Sequence, residues 1–383
     1  MFNPAFISLL EESVGAGRAA VVTEALDAPA SVSVRLNPAK LLACPFENAA
    51  PVPWSPYGYL LAERPVFTLD PLFHAGCYYV QDSSAMFVGH VFRSLLDRLG
   101  EGAAVLDLCA APGGKTTDLA ASLRERFGDR FSLLSNEVMK SRYGALQANV
   151  ASWGDARVGT VSRDPSAFGS APVFDLMLTD VPCSGEGMFR KDPRAVAEWT
   201  AELPAFCAAR SRRIIGDSWP ALKPGGILLY ATCTFNHLEN DDTVAWIASE
   251  LGADVIPPQD FPPAIRTRFG QLLLPGYVPG EGQYVAALRK RGEASAVRMA
   301  DPLTLFRAQL PAAESDTPGP LVDVDRATAL RYLHGDAVVL PADAPRGPVT
   351  LAYQGHALGP GKNIGPRCNN LYPKSKRIRM DIA

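Results

Sequence analysis

The chain has 383 residues, 47% hydrophobic and 20% charged, with a net charge of −3 at neutral pH. These values are ordinary for a globular protein of two or three domains. It has no apolar run of about eighteen residues and no basic, apolar leader, so neither a membrane span nor a secretory signal is expected. The seven cysteines are irregularly spaced and form no Cys-x-x-Cys pair, which favours a reducing, cytoplasmic compartment and argues against a structural zinc site.

Residues 1–82 form a first region of mixed structure. A helix is predicted from Pro4 to Ala16, and the alternation within Ser31–Asn37 predicts a strand. Four prolines between positions 51 and 65 indicate a stretch of loops. The region is expected to be a small α+β unit.

Residues 83–291 alternate between strands and helices. The predicted strands are Ala103–Leu108, Phe131–Asn136, Val158–Val161, Phe174–Thr179 and Ile227–Ala231, and the predicted helices are Lys115–Arg126, Ser141–Trp153, Pro204–Ala221 and Leu238–Leu251. This alternation predicts an α/β domain with a mostly parallel, doubly wound sheet. Ligands of such sheets bind beyond the carboxyl ends of the strands, where the motifs described next all lie.

The first predicted strand of this domain runs into a glycine turn and then a helix. The turn consists of Cys109, Ala110, Ala111, Pro112, Gly113, Gly114 and Lys115. Paired glycines let a ligand approach the backbone, and the helix N-terminus offers unpaired N–H groups. Neither the Gly-x-Gly-x-x-Gly pattern of dinucleotide sites nor a complete phosphate-loop pattern is present. The turn therefore favours a nucleoside ligand without a phosphate chain, and S-adenosylmethionine fits it.

Two acidic residues follow the next two strands. Glu137 lies 24 residues beyond Gly113, close to the spacing at which an acidic side chain holds two ribose hydroxyls. Asp164 is expected to accept a hydrogen bond from an adenine amino group. Each also has a simpler interpretation, Glu137 as a carboxylate at a helix N-terminus and Asp164 as a turn residue before Pro165.

Two cysteines end two further strands, Cys183 in Asp-Val-Pro-Cys and Cys233 in Thr-Cys-Thr. A thiolate is a strong nucleophile, and its addition to carbon 6 of a pyrimidine makes carbon 5 reactive enough to take a methyl group. One thiol suffices for addition, and a second, acting as a base or as an aid to release, explains a pair. Asp180 is placed to stabilise the charge that develops at ring nitrogen 3. The simpler alternatives are inert, buried cysteines and an Asp180 that orders the Pro182 turn.

The C-terminal part of the chain divides into a linker and a small domain. Residues 292–320 are rich in Ala, Pro and small polar residues and are predicted to be a linker with one helix. Residues 321–383 are predicted to be a mostly-β domain, with strands at Ala337–Leu340 and Val349–Tyr353. Positions 344–380 lack acidic residues and carry seven basic ones. This asymmetry indicates a phosphate-binding surface on an otherwise acidic protein, or else a solvated basic tail.

These motifs resemble the Nop/Sun family of RNA cytosine-5 methyltransferases. The resemblance rests on Asp107–Thr117, Asn136-Glu137, Asp180–Lys191 and Thr232–Thr234. It implies that Cys233 is the nucleophile and that Cys183 assists release of the product. It also implies contacts to S-adenosylmethionine by Cys109, Ala110, Ala111, Pro112, Gly113, Gly114, Lys115, Glu137, Asp164 and Asp180. Val181 and Thr234 depart from the family's usual Ala and Ser, without removing a needed functional group.

Two further stretches are similar to the bacterial small-subunit rRNA methyltransferase F group of this family. They are His74–Met86 and Gly355–Arg379, and in that group the second belongs to a PUA-like, RNA-binding domain. The resemblance implies an α/β fold in which a Rossmann-like doubly wound methyltransferase sheet occupies residues 83–291. It also implies a small N-terminal α+β region at 1–82 that serves as an RNA-binding and entry region, and a mostly-β PUA-like domain at 321–383.

The function that this resemblance implies is S-adenosylmethionine-dependent methylation of carbon 5 of cytosine in RNA, with small-subunit (16S) rRNA as the expected substrate. The protein is expected to be a cytoplasmic monomer that uses neither a metal nor a membrane. The residues expected to hold the RNA backbone are Arg35, Arg190, Lys191, Lys362, Arg367, Lys374, Lys376 and Arg377. Methylation of tRNA and a non-catalytic role in ribosome assembly stay open as alternatives. The missing phosphate-binding patterns argue against an oxidoreductase or a kinase.

Overall fold

Three β-sheets organise the chain in the computed structural model, which describes residues 2–293, 300–311 and 319–382. In chain order, the strands are β1 Val32–Leu36, β2 Ala50–Pro51, β3 Gly58–Leu61, β4 Tyr78–Val80, β5 Ala103–Asp107, β6 Phe131–Asn136, β7 Val158–Val161, β8 Phe174–Asp180, β9 Leu222–Thr232, β10 Ala253–Ile256, β11 Ile265–Arg266, β12 Gln271–Leu273, β13 Gln283–Lys290, β14 Leu321–Asp323, β15 Gly347–Tyr353, β16 His356–Asn363 and β17 Cys368–Asn370. The helices are α1 Pro4–Val14, α2 Ala16–Leu26, α3 Pro71–His74, α4 Phe87–Leu95, α5 Gly114–Phe127, α6 Lys140–Trp153, α7 Pro193–Glu198, α8 Leu203–Ser218, α9 Asp241–Glu250, α10 Pro302–Leu305 and α11 Arg326–His334.

The central sheet has the order β11-β12-β13-β9-β8-β5-β6-β7, with β10 paired to β13. Strands β5 to β9 run parallel, and every residue of β5 and β6 is buried, as expected of strands that helices cover on both faces. The predicted doubly wound α/β class is therefore confirmed. Strands β8 and β9 are direct neighbours, with Asp180 opposite Ala231, so the segments that follow them begin side by side.

Strands β10 to β13, which the sequence pattern did not predict, extend the central sheet in the antiparallel sense. The longest of them, β13, pairs along β9 from Tyr284 opposite Thr232 to Arg289 opposite Ile227. The other three have four residues or fewer, too short for an alternating pattern to predict them. Because they continue the sheet, the carboxyl end of β9 lies inside the sheet and not at its edge.

Two helices open the chain where one was predicted. The first stops at Gly15, which has a positive φ of 86°, and α2 follows immediately. Phe6 of α1 packs edge-on against Phe189 and Trp199, with ring centroids 5.0 and 5.7 Å away. The helical hairpin therefore supports the segment that follows Cys183.

The C-terminal sheet has the order β14-β15-β16-β17 and is accompanied by α11. This helix was not predicted, although Asp325 caps its N-terminus through its side chain. The strand predicted at Ala337–Leu340 is wrong, because only an isolated bridge joins Val338 to Cys368. The strand predicted at Val349–Tyr353 lies within β15.

The N-terminal and C-terminal sheets share one apolar cluster. It includes Leu36 and Leu72 from the N-terminal side and Leu333 and Val349 from the C-terminal side. The order of the N-terminal sheet is β2-β3-β1-β4. The C-terminal basic residues are thus carried on a unit that packs against the N-terminal region.

The segment 300–311 lies within the predicted linker and packs on the central sheet. Phe306 stacks on Phe174 with an interplanar angle of 14° and a centroid distance of 5.9 Å, and it also contacts Phe168. Gln309 forms an isolated bridge with Thr160 of β7. The rest of the predicted linker includes 294–299 and 312–318, which lie outside the described residues, so the domain boundaries stay a prediction.

Within the part of the chain that the structure describes, no helix combines the length and apolar character needed to cross a bilayer. The same residues contain no group of three or more His, Cys, Asp or Glu side chains arranged to hold a metal ion.

Replacing Phe306 with Ala is expected to lower the free energy of unfolding by about 3 to 5 kcal/mol, because the side chain is buried between two aromatic rings. Urea unfolding measures the change. Leu305→Ala is the matched control, since that side chain is 47% exposed and should cost within about 0.5 kcal/mol. Equal, small effects of both changes would show that this segment is not part of the core.

Candidate active site

Two loops meet at the carboxyl ends of β8 and β9, and each carries one of the predicted cysteines. Cys183 follows β8 by three residues and Cys233 follows β9 directly. Their Sγ atoms are 3.3 Å apart, and both residues are partly exposed. The structure therefore brings the two predicted thiols into contact. The hydrogen bond with Cys233 and burial raise the pKa of Cys183 well above its ordinary value, so this thiol keeps its proton at neutral pH.

An ion pair lies at the same end of the sheet. Lys115 donates to Asp180, with 2.7 Å between Nζ and Oδ2, and the two side chains are 14% and 28% exposed. Burial alone would lower the pKa of Lys115, but the charge of Asp180 and its hydrogen bond raise it overall. A negative charge on Cys233 also raises the pKa of Lys115, by less than Asp180 does. The site thus combines two sulfurs with a paired cation and carboxylate.

The glycine turn connects β5 to α5 at this end of the sheet. Gly113 has a φ of +110°, and a Cβ there would lie 3.3 Å from Leu146, so a side chain at this position would be strained. The N–H of Ala110 donates to the carbonyl of Asn136, 2.8 Å away. The turn is therefore fastened to the end of β6 as well as to its own strand.

Asp107, the last residue of β5, is fully buried below this turn. Its Oδ2 accepts from the Thr116 hydroxyl at 2.6 Å, whereas its Oδ1 has no hydrogen-bond partner among the described residues. Burial raises the pKa of Asp107 to about 7, although the Thr116 hydrogen bond opposes the shift. A buried carboxylate oxygen without a partner is unusual in a folded protein and marks a place where a bound ligand would supply the donor.

The two acidic residues predicted near the nucleoside differ in their surroundings. Glu137 is buried, accepts from the N–H of Met139 at 2.8 Å and lies 3.7 Å from Arg142. Asp164 is exposed and accepts from both the N–H and the hydroxyl of Ser166, which lower its pKa. Both residues thus have the local contacts of their simpler interpretations, and their ligand roles stay predictions.

A buried polar network behind the two thiols was not predicted. It comprises Ser184 and Glu186 from the first loop and Thr234, Asn236 and Glu239 from the second, all at most 6% exposed. No sequence pattern signalled it, because its members are brought together only when β8 and β9 pair. Burial raises the pKa of Glu239 to about 7, against the opposing hydrogen bonds from Ser184 and Asn236.

The structure corrects the predicted RNA contacts of two arginines. Arg35 is 0% exposed and donates to the Gly114 carbonyl at 3.0 Å and to Thr117 at 2.5 Å. It therefore fixes the start of α5 to the N-terminal sheet and cannot reach a phosphate.

Arg190 is also enclosed, with its Nε 2.8 Å from Glu281 and its Nη2 donating to two backbone carbonyls. Lys191 is partly exposed although paired, and its contact with RNA stays a prediction.

The basic residues of the C-terminal domain lie largely at its surface. Lys362, Arg367, Lys374 and Lys376 are exposed, and Arg377 is partly buried beside Gly335. Their positions fit a cationic surface.

The chain matches three family models. Residues 95–289, just over half of the chain, match the model described as 16S rRNA methyltransferase RsmB/F. Residues 2–83 match the N-terminal domain of 16S rRNA methyltransferase RsmF, and residues 320–378 match the Methyltransferase RsmF PUA domain. The predicted PUA-like character of the C-terminal domain is therefore confirmed.

Curated relatives and solved structures agree with these matches. The ribosomal RNA small subunit methyltransferase F of Salmonella paratyphi A is 37% identical over 284 residues, and that of Salmonella agona is 36% identical. Each alignment covers 68% of this chain but 57% of the relative, so the chain spans little more than half of their length.

The crystal structure of a methyltransferase homolog protein from Pyrococcus horikoshii is 26% identical, with a TM-score of 0.60 over 74% of this chain and 93% of that one. NSun6 from the same organism is 18% identical, with a TM-score of 0.62 over 76% of this chain and 99% of that one, and it supports the fold alone.

Changing Asp107 to Asn is expected to flatten the pH dependence of stability. An acid whose pKa rises on folding stabilises the protein below its unfolded pKa and loses that contribution as pH rises to about 7. Between pH 5 and 8 the wild-type protein should lose about 2 to 3 kcal/mol from this group, whereas the neutral Asn variant should not. Melting curves across this pH range compare the two proteins, and parallel pH profiles would contradict the raised pKa.

Proposed function

Because the chain belongs to the 16S rRNA methyltransferase RsmB/F family, we propose that it transfers a methyl group from S-adenosylmethionine to carbon 5 of a cytosine in small-subunit rRNA. The observation that carries the proposal is the pair of partly exposed thiols, with sulfurs 3.3 Å apart. The paired Lys115 and Asp180 adjoin them. A nucleophile, a second thiol and a polar pair for the ring are the groups that cytosine-5 methylation needs.

The cofactor site fits the residues present. The turn formed by Cys109, Ala110, Ala111, Pro112, Gly113, Gly114 and Lys115 would hold the amino-acid end of S-adenosylmethionine. The unpartnered carboxylate oxygen of Asp107 lies below that turn. Glu137 would hold the ribose, with the exposed Val138 and Met139 beside it as an apolar edge, and Asp164 would accept from the adenine amino group. The bound cofactor would supply an electrophilic methyl group.

Cys233 starts the reaction when its thiol loses its proton to solvent and the resulting thiolate adds to carbon 6 of the cytosine. The carbon–sulfur bond forms as the C5–C6 double bond opens, and its electron pair moves toward carbon 5 and the ring nitrogen. Asp180 holds the polar edge of the ring, and the neighbouring Lys115 ammonium offsets the negative charge that enters it. Carbon 5 is then nucleophilic enough to accept a methyl group.

Cys183 acts when the product leaves. After methylation the proton on carbon 5 departs to solvent, its electron pair restores the C5–C6 double bond, and the bond from carbon 6 to the Cys233 sulfur breaks. Cys183 keeps its own proton because its pKa is raised. Of its two predicted roles we therefore favour the aid to release, in which its S–H donates a hydrogen bond to the departing Cys233 thiolate.

The C-terminal domain supports RNA as the substrate. It matches a PUA domain of the RsmF type and exposes Lys362, Arg367, Lys374 and Lys376. Contacts from these cations to phosphates would hold the RNA while the target base leaves its stack, at a cost of a few kcal/mol. A purely non-catalytic assembly role is disfavoured by the intact thiol pair.

Cys233→Ala is expected to abolish methylation while leaving cofactor binding intact, because the attacking sulfur is gone and the glycine turn is unchanged. Cys183→Ala is expected to trap a covalent protein–RNA adduct through Cys233, because the departing thiolate loses its hydrogen-bond donor. Bisulfite sequencing of RNA from cells that lack the protein, complemented with each variant, shows which cytosine loses its mark. Gel electrophoresis under denaturing conditions shows the adduct.

The double variant Cys183→Ala/Cys233→Ala is the control and should form no adduct. Normal turnover by Cys183→Ala without a shifted band would overturn the division of labour between the thiols. A mark lost only from tRNA would move the substrate assignment, and no lost mark at all would remove the proposed activity.

Replacing Lys374, Lys376 and Arg377 with Ala should weaken RNA binding and flatten its salt dependence. Loss of three phosphate contacts reduces the slope of log K against log salt by about 2 to 3. Filter binding over a series of salt concentrations measures the slope. Arg126→Ala/Arg130→Ala is the control, since both arginines are exposed and lie at or just beyond the C-terminal end of α5, at the opposite end of the sheet. An unchanged slope in the triple variant would exclude this surface as the RNA contact.

A further inference from the structure

Two buried carboxylates behind the thiol pair have no role in the chemistry proposed above. Glu186 belongs to the Cys183 loop and is 1% exposed, and Glu239 belongs to the Cys233 loop and is 0% exposed. Within the described part of the chain, neither carboxylate has a cation within ion-pair distance. Both therefore serve as hydrogen-bond acceptors, and the positions of their donors show which parts of the chain they join.

Each carboxylate accepts a backbone N–H from the opposite loop. Glu239 Oε2 accepts from the N–H of Ser184, the residue after Cys183, at 2.9 Å. Glu186 Oε2 accepts from the N–H of Phe235, two residues after Cys233, at 2.7 Å. The two contacts are reciprocal, so sliding one loop along the other breaks both of them.

The side-chain amide of Asn236 joins the two carboxylates. Its Nδ2 donates to Glu186 Oε1 at 2.8 Å and to Glu239 Oε1 at 2.9 Å. The hydroxyls of Ser184 and Thr234 face each other across the loops at 2.9 Å. These five residues form what we call the carboxylate clamp.

Backbone contacts extend the carboxylate clamp toward the sulfurs. The N–H of Gly187 donates to the carbonyl of Cys233 at 2.8 Å. A Cβ at Gly187 would lie 2.7 Å from that same oxygen, so the loops approach too closely for any side chain there. The two loops are thus joined at Cys233 itself as well as through the carboxylate clamp.

Burying two carboxylates is costly unless their hydrogen bonds are satisfied, and apolar packing could join two loops with less cost. Directional hydrogen bonds differ from apolar contacts in that they fix one relative position of the groups they join. The position fixed here is that of Cys183 relative to Cys233.

We propose that Glu186 and Glu239 are positioning residues that hold the two loops in the register that places the Cys183 and Cys233 sulfurs in hydrogen-bond contact. The effect of this positioning on catalysis rests on the proposed function, in which the contact between the two sulfurs assists release of the product. Loosening the carboxylate clamp leaves addition by Cys233 possible and slows the breaking of its bond to the base.

The direct test measures the proximity of the sulfurs without RNA or cofactor. Dibromobimane bridges two neighbouring thiols as each displaces one bromide, and only the doubly substituted product is strongly fluorescent. Peptide mass spectrometry of the full-length protein identifies the Cys183–Cys233 bridge.

Glu239→Gln keeps the shape of the side chain but replaces one acceptor with an NH2 group, so it cannot accept from both Ser184 and Asn236. Losing one hydrogen bond should lower the bridging rate about tenfold, and Glu186→Gln should act similarly.

Asp241→Asn is the matched control. Asp241 lies two residues after Glu239 and accepts from Thr267 and Tyr284, which belong to neither thiol loop. Its replacement should lower the melting temperature while leaving the bridging rate unchanged. Bridging at the wild-type rate in Glu239→Gln and Glu186→Gln, or an equal loss in Asp241→Asn, would overturn the positioning role.

A second measurement connects the carboxylate clamp to release. RNA that carries 5-fluorocytidine traps the enzyme after methylation, because fluorine cannot leave carbon 5 as a proton does, and it therefore reports the steps before release. Glu239→Gln should trap on this RNA at a rate close to that of the wild type, while its turnover on ordinary RNA falls about tenfold and the adduct accumulates. Equal losses in trapping and turnover would contradict a specific effect on release.

The two proposals fail in different ways. If the wild-type protein neither methylates RNA nor is trapped by 5-fluorocytidine, the proposed function fails, whereas the bimane result still tests the positions of the sulfurs. If the Gln variants do not fold, Thr234→Val removes one hydroxyl of the carboxylate clamp and keeps both carboxylates. It should reduce bridging in the same direction by a smaller factor, and an unchanged rate there would overturn the inference.

Discussion

The site depends on the parallel pairing of β8 with β9. Asp180 and Ala231 lie opposite each other in that register, so the loops that begin after each strand start as neighbours. Cys183 and Cys233 are fifty positions apart in the chain, yet their sulfurs are in contact because two adjacent strands end at one level. A register shift would turn the residues at the strand ends to the opposite face and separate the two sulfurs. Alternate residues of β8 and β9 pack into two different apolar clusters, so a shift would disrupt the packing on both faces of the sheet.

The surrounding elements support the site at three places, two of them beside the thiol loops and one beside the glycine turn. The α1–α2 hairpin packs Phe6 against the segment that follows Cys183. Strand β13 continues the sheet beyond β9, and Gln283 donates to the Thr232 carbonyl at 2.7 Å. Arg35 reaches from the N-terminal sheet to the start of α5, below the glycine turn. The N-terminal region thus contributes to the shape of the site from the protein side, in addition to any contact with the substrate.

The errors of sequence-based prediction have identifiable physical causes. Strands β10 to β12 are too short for an alternating pattern, and the single helix predicted from Pro4 to Ala16 ran past Gly15, which separates α1 from α2. Nothing in the sequence distinguishes Arg35 and Arg190 from exposed arginines that could bind phosphate. Only the packing around them shows that their guanidinium groups are used in internal hydrogen bonds. Glu186 and Glu239 were overlooked because an isolated glutamate in a loop has no pattern, and their meaning comes from donors on the other loop.

The sequence alone was enough to predict the α/β class and the glycine turn and to single out the two cysteines and Asp180 as candidate reactive residues. Periodicity and local turn chemistry act over a few neighbouring residues, so a sequence pattern contains them. The tertiary structure alone decided that the sulfurs are 3.3 Å apart, that Lys115 pairs with Asp180 and that two carboxylates hold the thiol loops together. Distances between residues remote in the chain follow from strand order and register. Those are set by the burial of the whole sheet, which no local pattern contains.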